Sequence, residues 1–172
     1  MKMEKPLQGE RLTLRAYEKS DLPIITAMWF DPENGKYMSD PDANGVDEVY
    51  RKALDGLEET EAGYYLVAVL NSTNEIVGTA NVFPCNDGKT VDIGYCVRKD
   101  HWREGFGSEL LGLLIDWARA QGASEVTAEV AKENRASCGL LAKHRFAPVR
   151  ESKFKKYNMG IEFESYIYQL EM

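Results

Sequence analysis

The residues from Trp102 to Ser108 have the composition of an anion-binding turn. They read Trp-Arg-Glu-Gly-Phe-Gly-Ser, and a helical spacing of apolar residues begins at Phe106. A helix N-terminus leaves backbone N–H groups unpaired and carries a partial positive charge. Gly105 and Gly107 have no side chains that would hold a phosphate away from those donors. The segment therefore predicts a cradle for an anion, in particular for a diphosphate.

The glycine spacing excludes two common phosphate-binding loops. A P-loop has the pattern Gly-x-x-x-x-Gly-Lys-Ser/Thr, and no lysine lies in this turn. A dinucleotide-binding fingerprint has a third glycine, and Leu110 occupies its place. A plain strand–helix turn, in which the glycines only permit tight packing, stays open as the alternative.

A predicted strand and a predicted helix must position this turn. Val91–Val97 is rich in β-branched and aromatic residues, which favours a strand. Gly105–Gln121 has apolar residues at helical spacing, which predicts an amphipathic helix. Glu125–Ala131 then alternates as a second strand. A strand–helix–strand connection of this length predicts that the two strands pair in parallel.

The other segments complete a mixed α/β (α+β) pattern with helices on both faces of a sheet. Ser20 is predicted to cap a helix that starts at Asp21. Further helices are predicted at Gly45–Glu61 and Arg135–His144. The remaining predicted strands are Arg11–Ala16, Tyr64–Leu70, Ile76–Phe83, Phe146–Lys153 and Glu162–Leu170.

Length, charge and cysteine content limit the functional classes. The chain has 172 residues and 44% hydrophobic residues, which predicts one domain spanning residues 1–172. Its net charge of −7 argues against a general nucleic-acid binder. Cys85, Cys96 and Cys138 are widely spaced, which suggests reduced thiols in a cytoplasmic protein. We find no spacing typical of metal ligands and no apolar run long enough to cross a membrane.

Two motifs together resemble the GNAT acetyltransferases. The strand, the turn x-x-Gly-x-Gly and the leucine-rich helix resemble motif A, whose turn binds the pyrophosphate of acetyl-coenzyme A in that family. The segment from Asn134 to Phe146 resembles the RimJ/RimL pattern Asn-x-x-Ser-x-x-x-Leu-x-Lys-x-Gly-Phe, with Arg145 in place of the usual glycine. Trp102 and the opening segment Glu10–Arg15 are also similar to that branch, so the resemblance spans nearly the whole chain.

This resemblance implies a fold and an activity. The fold would be a mixed, mostly antiparallel central sheet of about seven strands with helices on both faces. The activity would be direct transfer of an acetyl group from acetyl-CoA, as cosubstrate and without a metal, to a primary amine. The acceptor would be a small-molecule or peptide amine such as a protein N-terminus, bound by the loops Asp31–Gly45 and Lys153–Ile161, and relatives are often homodimers. A non-catalytic acyl-CoA-binding or regulatory module is the alternative.

The resemblance also implies which residues bind the cosubstrate. The pantetheine arm would lie between the separating ends of the two parallel strands, and the turn amides would bind the pyrophosphate. Asn134 would contact the arm, although it is equally suited to cap its own helix. The side chain of Glu104 is expected to point outward, away from the phosphates. The residues implied are Cys96, Val97 and Arg98 for the arm, and Arg103, Glu104, Gly105, Phe106, Gly107 and Ser108 for the pyrophosphate.

Ser137 and Asp92 are the predicted catalytic residues. Ser137 lies on the same helical face as Asn134 and would protonate the coenzyme A thiolate, where many relatives have a tyrosine at the place of Leu141. A serine bonded to its own helix backbone is the alternative. Asp92, on the strand before the turn, would take the amine proton through water, unless it is merely an exposed edge carboxylate. Weaker candidates for the base are Glu129, Tyr95, His101 and His144.

Overall fold

One sheet of eight strands forms the framework of the structure, a computed structural model that describes residues 2–58 and 64–172. The strands are β1 Leu7–Gln8, β2 Leu12–Ala16, β3 Tyr65–Leu70, β4 Ile76–Cys85, β5 Thr90–Val97, β6 Glu125–Ala131, β7 Ala147–Lys156 and β8 Ile161–Glu171. Their order across the sheet is β1-β2-β3-β4-β5-β6-β8-β7. The last two strands exchange places because β8 pairs with β6, which leaves β7 at the edge.

The pairing confirms a mixed, mostly antiparallel sheet. β5 and β6 pair in parallel, as the strand–helix–strand connection predicts, and the other neighbouring strands are antiparallel. The eighth strand is the two-residue β1, which pairs Leu7 with Leu14. Such a short segment has too few residues to show the alternation by which a strand is recognised in a sequence.

Helices cover both faces of the sheet, as predicted. Their bounds are α1 Leu22–Trp29, α2 Glu48–Asp55, α3 Phe106–Ala120 and α4 Arg135–Lys143. On one face Leu110 and Leu141 pack with Val91 in the larger core, and on the other Trp29 packs with Val67. None of the helices in the described residues has the length and apolarity needed to span a bilayer.

The start of the first helix differs from the prediction. Ser20 does not cap it, because Ser20 lies inside a short 3₁₀ turn, Lys19–Asp21, that precedes α1. The Asp21 carboxylate accepts the Glu18 N–H at 2.9 Å and both Arg15 Nη atoms, at 2.7 and 2.8 Å. This buried ion pair with β2 places Asp21, rather than the neutral serine, at the entrance of the helix.

The second helix is shorter than the predicted Gly45–Glu61. It begins at Glu48 because the Asp47 side chain accepts the Tyr50 N–H at 2.8 Å and so forms the N-cap. It ends at Asp55, before Gly56. Residues 59–61 of the predicted helix lie outside the described residues.

The loop between α1 and α2 is fastened to the β7–β8 hairpin. The buried ammonium of Lys156 donates to the carbonyls of Gly35 and Met38 at 2.7 and 3.1 Å. The Tyr157 N–H donates to the Ser39 carbonyl at 2.7 Å. Burial lowers the pKa of Lys156. The hairpin therefore positions a loop that lies more than a hundred residues earlier in the chain.

Candidate active site

A gap opens between the two parallel strands of the sheet. β5 pairs with β4 over its whole length, from Thr90 to Val97. With β6 it pairs only at Thr90, Val91 and Asp92. In the part of the chain that the structure describes, residues 93–97 of β5 therefore have no strand partner on the β6 side. This is the place where the resemblance puts an extended pantetheine arm.

The backbone of Tyr95 and Val97, but not that of Cys96 and Arg98, faces the gap. The Arg98 N–H donates to the Val77 carbonyl of β4 at 2.8 Å. Because hydrogen-bonding directions alternate along an antiparallel strand, Cys96 also directs its backbone toward β4. Of the three residues predicted for the arm, only Val97 presents its backbone to the gap. Tyr95, which was not among the three, also does so. The alternation along Val91–Val97 was the signal that could have found it.

The side chain of Cys96 also lies away from the gap. It packs with the core on the α1 side of the sheet, where burial raises the pKa of the thiol to about 12. The Asn34 amide donates to its Sγ at 3.1 Å. A thiol held neutral in this way is a packing residue.

Side chains already bond to the Val97 carbonyl. The indole N–H of Trp102 donates to it at 2.7 Å, and the Asn34 amide lies 3.3 Å from it. Asn34 also accepts the Lys99 N–H at 2.6 Å. Asn34 therefore ties the loop after α1 to the end of β5. No pattern in the sequence indicates this contact, since 63 residues separate Asn34 from Val97.

The turn before α3 has the geometry of a helix start with free donors. Gly105 has φ +87°, a left-handed conformation that favours glycine. Ser108 and Glu109 donate their N–H groups to the Gly105 carbonyl at 3.1 and 3.2 Å. Among the residues that the structure describes, the N–H groups of Phe106 and Gly107, which precede this ladder, donate to no backbone carbonyl.

Gly107 serves packing as well. A Cβ atom at this position would lie 3.2 Å from Leu140 Cδ2 and 3.7 Å from Val97 Cγ2. The missing side chain therefore lets α3 approach α4 and β5. Gly107 thus has a packing role, and Gly105 has a conformational one.

Arg11 braces the turn, a role that sequence reasoning missed. Its Nη1 donates to the Glu104 carbonyl at 2.9 Å, and its guanidinium lies 4.3 Å from the centre of the Phe106 ring. Its Nε bonds to the Glu109 carboxylate at 3.0 Å. That carboxylate also accepts the N–H groups of Arg11 and Leu12, which outweigh burial and lower the pKa of Glu109.

The other side chains of the turn have distinct surroundings. Arg103 is exposed, and Glu104 is half-exposed with its carboxylate 3.3 Å from His101 Nδ1. Ser108 Oγ lies 2.8 Å from His144 Nε2, and burial lowers the pKa of His144. Both histidines therefore support the turn, His101 from the short 3₁₀ turn Lys99–His101 that follows β5 and His144 from the end of α4.

Ser137 meets Tyr95 on the α4 side of the gap. The Asn134 side chain accepts the Ser137 N–H at 3.2 Å, so Asn134 caps α4. Ser137 Oγ lies 2.8 Å from the Tyr95 hydroxyl. Burial raises the pKa of Tyr95 to about 12, which makes this phenol unsuitable as a base near neutral pH. Leu141 is fully buried in the core and does not face the gap.

Asp92 lies on the opposite face of the sheet. Val91 and Ile93 point into the α3 core, so the alternating side chain of Asp92 points the other way. Asp92 is partly buried and accepts the Thr127 hydroxyl at 2.7 Å. Burial raises the pKa of its carboxyl, and neighbouring Glu129 adds to this, while Thr127 opposes it. Asp92 is thus not a fully exposed edge carboxylate.

A cavity of about 590 Å³ lies beside the α1–α2 loop and the β7–β8 hairpin. Tyr50 donates a short hydrogen bond to Asp40, and the Tyr157 ring lies 5.1 Å from the Tyr50 ring. The cavity thus joins the two loops predicted to bind the acceptor. Its lining comprises Ser39, Asp40, Tyr50, Lys155, Lys156, Tyr157, Asn158, Gly160, Ile161 and Glu162.

Comparison with known proteins identifies the family. Residues 11–147 match the family model described as Acetyltransferase (GNAT) domain. The chain belongs to the GNAT acetyltransferase family. A relative, the uncharacterized N-acetyltransferase p20 from Bacillus licheniformis, is 32% identical over 141 residues, 78% of each chain. This GNAT protein is accordingly an acetyltransferase.

Solved structures agree in fold. A GNAT-family acetyltransferase from Bacillus anthracis superposes with a TM-score of 0.80 at 18% identity, over 97% of this chain and 98% of that one. Spermidine N-acetyltransferase from Vibrio cholerae, in complex with CoA and spermine, gives a TM-score of 0.77 at 16% identity, over 95% and 96%. At these identities the similarity establishes the GNAT fold.

Proposed function

We propose that this GNAT protein is an acetyl-CoA-dependent N-acetyltransferase of the RimJ/RimL-like branch, with residues 1–172 acting as one domain. The observation that carries the proposal is the gap between β5 and β6. The glycine turn leads from the end of β5 into α3, and Ser137 and Asp92 lie on the two faces of the sheet at this gap. The spacing of Asn134 and Ser137 supports the branch.

The residues present fit acetyl-CoA, which supplies the thioester. The unpaired N–H groups of Phe106 and Gly107 suit a pyrophosphate at the helix N-terminus. The exposed Arg103 adds a positive charge beside them. The gap-facing backbone of Tyr95 and Val97 suits the amides of the pantetheine arm, with Trp102 yielding the Val97 carbonyl when the arm binds.

The two predicted catalytic residues lie on opposite faces of the sheet and take part in different proton transfers. Asp92 takes a proton from the attacking amine through water, and its raised pKa makes it a better base than an ordinary carboxylate. Ser137 presents its hydroxyl to the thiolate that leaves when the amine nitrogen attacks the thioester carbon. This arrangement favours direct transfer.

A covalent route through Cys138 lacks an activating partner. Its Sγ lies 3.8 Å from the Ala131 carbonyl. It also neighbours Tyr168, whose pKa burial raises to about 12. Neither group removes a proton from a thiol at neutral pH, so Cys138 is not activated as a nucleophile.

The acceptor is a small amine or a protein N-terminus. The Vibrio cholerae structure with spermine supports a small polyamine as one candidate. The cavity beside Asp40, with Tyr50 and Tyr157, offers a carboxylate and aromatic faces that suit a cation. A peptide amine is the other candidate, since the cavity lies between two chain segments, one at Ser39 and Asp40 and the other at the hairpin turn near Tyr157 and Asn158.

Thermal unfolding with ligands tests the proposal. Acetyl-CoA at about 100 times its dissociation constant should stabilise the protein by ~2.7 kcal/mol, a rise in midpoint of roughly 5–10 °C. NAD is the control and should have no effect. Release of free thiol is then followed with spermidine and with a short peptide carrying a free N-terminus.

Each outcome decides between the candidate functions. Binding together with turnover of either amine supports the enzyme, and Ser137→Ala should then lower turnover much more than acetyl-CoA affinity. Binding without turnover of any amine would favour the non-catalytic acyl-CoA-binding module. No midpoint shift with acetyl-CoA would overturn the proposal.

A further inference from the structure

Two hydroxyl groups form an isolated pair on the α4 side of the gap. Tyr95 Oη and Ser137 Oγ lie 2.8 Å apart, although 42 residues separate them in the chain. Tyr95 projects from β5 at the point where β5 has no partner on the β6 side. Ser137 lies in the first turn of α4, held by the Asn134 cap. The pair therefore joins the strand that borders the gap to the helix that faces it.

The hydroxyl of Ser137 is not bonded to its own helix. A serine inside a helix commonly donates its hydrogen to the carbonyl one turn earlier. Among the described residues, the hydrogen-bond partner of Ser137 Oγ is Tyr95. Each hydroxyl has one hydrogen to donate and two lone pairs that accept. One of the two therefore donates within the pair and the other keeps its hydrogen for a ligand.

The chemistry of the two groups favours one direction for this hydrogen bond. A phenol is a stronger acid than an aliphatic alcohol and is therefore the better donor, which favours Tyr95 Oη–H as the donor and Ser137 Oγ as the acceptor. Burial raises the pKa of this phenol to about 12, so it stays protonated near neutral pH. The hydrogen of Ser137 is then free to point into the gap.

We propose that Tyr95 is a positioning residue, whose hydroxyl donates to Ser137 Oγ and so directs the Ser137 hydrogen toward the sulfur of coenzyme A. This inference rests on the proposed function, because it requires coenzyme A in the gap. It adds a residue on β5 to the predicted catalytic pair. The alternative is a structural hydrogen bond that only fastens α4 to β5. Such a bond would leave the pKa of the bound thiol unchanged.

The pair is compatible with the proton balance of the reaction. When the thioester C–S bond breaks, the electron pair stays on sulfur. The Ser137 hydrogen moves to the sulfur, and Ser137 Oγ, which keeps the hydrogen bond donated by Tyr95, recovers a proton from water. The proton that Asp92 takes from the amine passes to water. The amine loses one proton and coenzyme A gains one.

Binding of coenzyme A itself tests this without knowledge of the acceptor. Affinities for coenzyme A and for desulfo-coenzyme A are measured by calorimetry from pH 6 to pH 9. A donor aimed at the sulfur lowers the pKa of the bound thiol. If this pKa falls by one unit, the affinity for coenzyme A relative to that for desulfo-coenzyme A should rise by up to about tenfold as the pH increases through the titration range of the thiol near pH 8.5. A rise of the affinity ratio with pH therefore indicates a hydrogen-bond donor at the sulfur.

The variants separate positioning from fastening. Tyr95→Phe and Ser137→Ala should each abolish the rise of the affinity ratio with pH. The double variant should show the same affinity ratio as either single variant. Ser137→Thr keeps a hydroxyl and should retain most of the rise. Tyr166→Phe is the matched control, because Tyr166 packs against the same core from the neighbouring β8 and should behave as wild type. With a working amine, Tyr95→Phe should lower kcat about tenfold or more at unchanged KM for acetyl-CoA.

The outcomes distinguish the two hypotheses. If the wild type binds coenzyme A and Tyr95→Phe keeps both the rise and the turnover, Tyr95 only fastens α4. If Tyr95→Phe does not fold, Ser137→Ala and Ser137→Thr probe the same pair from the helix side, and a rise that survives Ser137→Ala overturns the inference. If the wild type binds no coenzyme A, the proposed function fails first.

Discussion

Replacing Glu109 by alanine tests how much of the turn's stability comes from one carboxylate. Glu109 accepts the N–H groups of Arg11 and Leu12 at 2.7 and 2.9 Å and the Arg11 Nε at 3.0 Å. Its side chain is 15% exposed, while that of Arg11 is 44% exposed. Leu12 is fully buried, so its N–H has no access to water once the carboxylate is removed.

The loss of the Leu12 partner dominates the expected cost. A buried donor left without an acceptor costs ~1–3 kcal/mol, whereas an ion pair with a half-exposed arginine contributes about 0–1 kcal/mol. Glu109→Ala should therefore lower the free energy of unfolding by roughly 2–3 kcal/mol. For a chain of this size that corresponds to a decrease in Tm of about 4–12 °C.

Asp116→Ala is the matched control on the same helix. Asp116 forms an ion pair with Arg119 at 2.9 Å, but the two side chains are 75% and 58% exposed. Such a surface pair contributes about 0–1 kcal/mol, so its loss should leave Tm nearly unchanged. Urea unfolding of both variants against wild type measures the difference. Equal, small effects of the two substitutions would refute the argument from burial.

The pH dependence gives a second readout for Glu109. Its folded-state pKa is lowered, so its stabilisation is present above the unfolded value of about 4.5 and is lost as the pH falls through the folded value. The difference in unfolding free energy between wild type and Glu109→Ala should therefore shrink below about pH 4.5. A difference that stays constant on acidification would contradict the assigned ion pair.

Three further substitutions test the turn, the base and the loop anchor. Gly105→Ala, at φ +87°, should cost about 1–2 kcal/mol in urea unfolding and weaken acetyl-CoA binding; unchanged stability would contradict the left-handed conformation. Asp92→Asn should lower turnover about tenfold or more. The raised pKa of Asp92 means that wild type loses stability relative to Asp92→Asn as the pH rises above about 3.8, and a loss on acidification instead would reverse the assignment. Lys156→Met removes the donor to the Met38 carbonyl and one of the two donors to the Gly35 carbonyl, which also accepts the Met38 N–H at 3.0 Å. The substitution should cost ~1–3 kcal/mol, with faster hydrogen exchange confined to residues 35–39; unaltered exchange there would exclude Lys156 as the anchor.

Much of the fold follows from local patterns in the sequence. β6 coincides with the predicted Glu125–Ala131, and α3 lies within Gly105–Gln121. These segments are predictable because their periodicity and their bounding residues act within one or two turns of chain. Asn134 caps its helix as its residue type favours. The less accurate bounds, at Ser20 and Gly45, are places where an ion pair or a different cap replaced the expected one.

The structure places the predicted site residues in different surroundings. The turn and Asp92 lie where the sequence puts them, but Cys96 and Arg98 turn their backbone toward β4. Alternation along β5 shows which residues point their backbone groups to the same side. It does not show on which side a partner strand is missing, because that depends on the register between β5 and β6. That register is a property of the assembled sheet.

The sequence by itself determined the family motifs, the glycine turn and the positions of Ser137 and Asp92 in the chain. The tertiary structure alone decided which groups meet: Tyr95 with Ser137, and Arg11 with Glu109 across 98 residues. The physical reason is that helix starts and strand alternation arise from neighbouring residues, whereas a hydrogen bond between distant segments requires the sheet register and the helix packing that place both atoms. A local pattern carries no record of that placement.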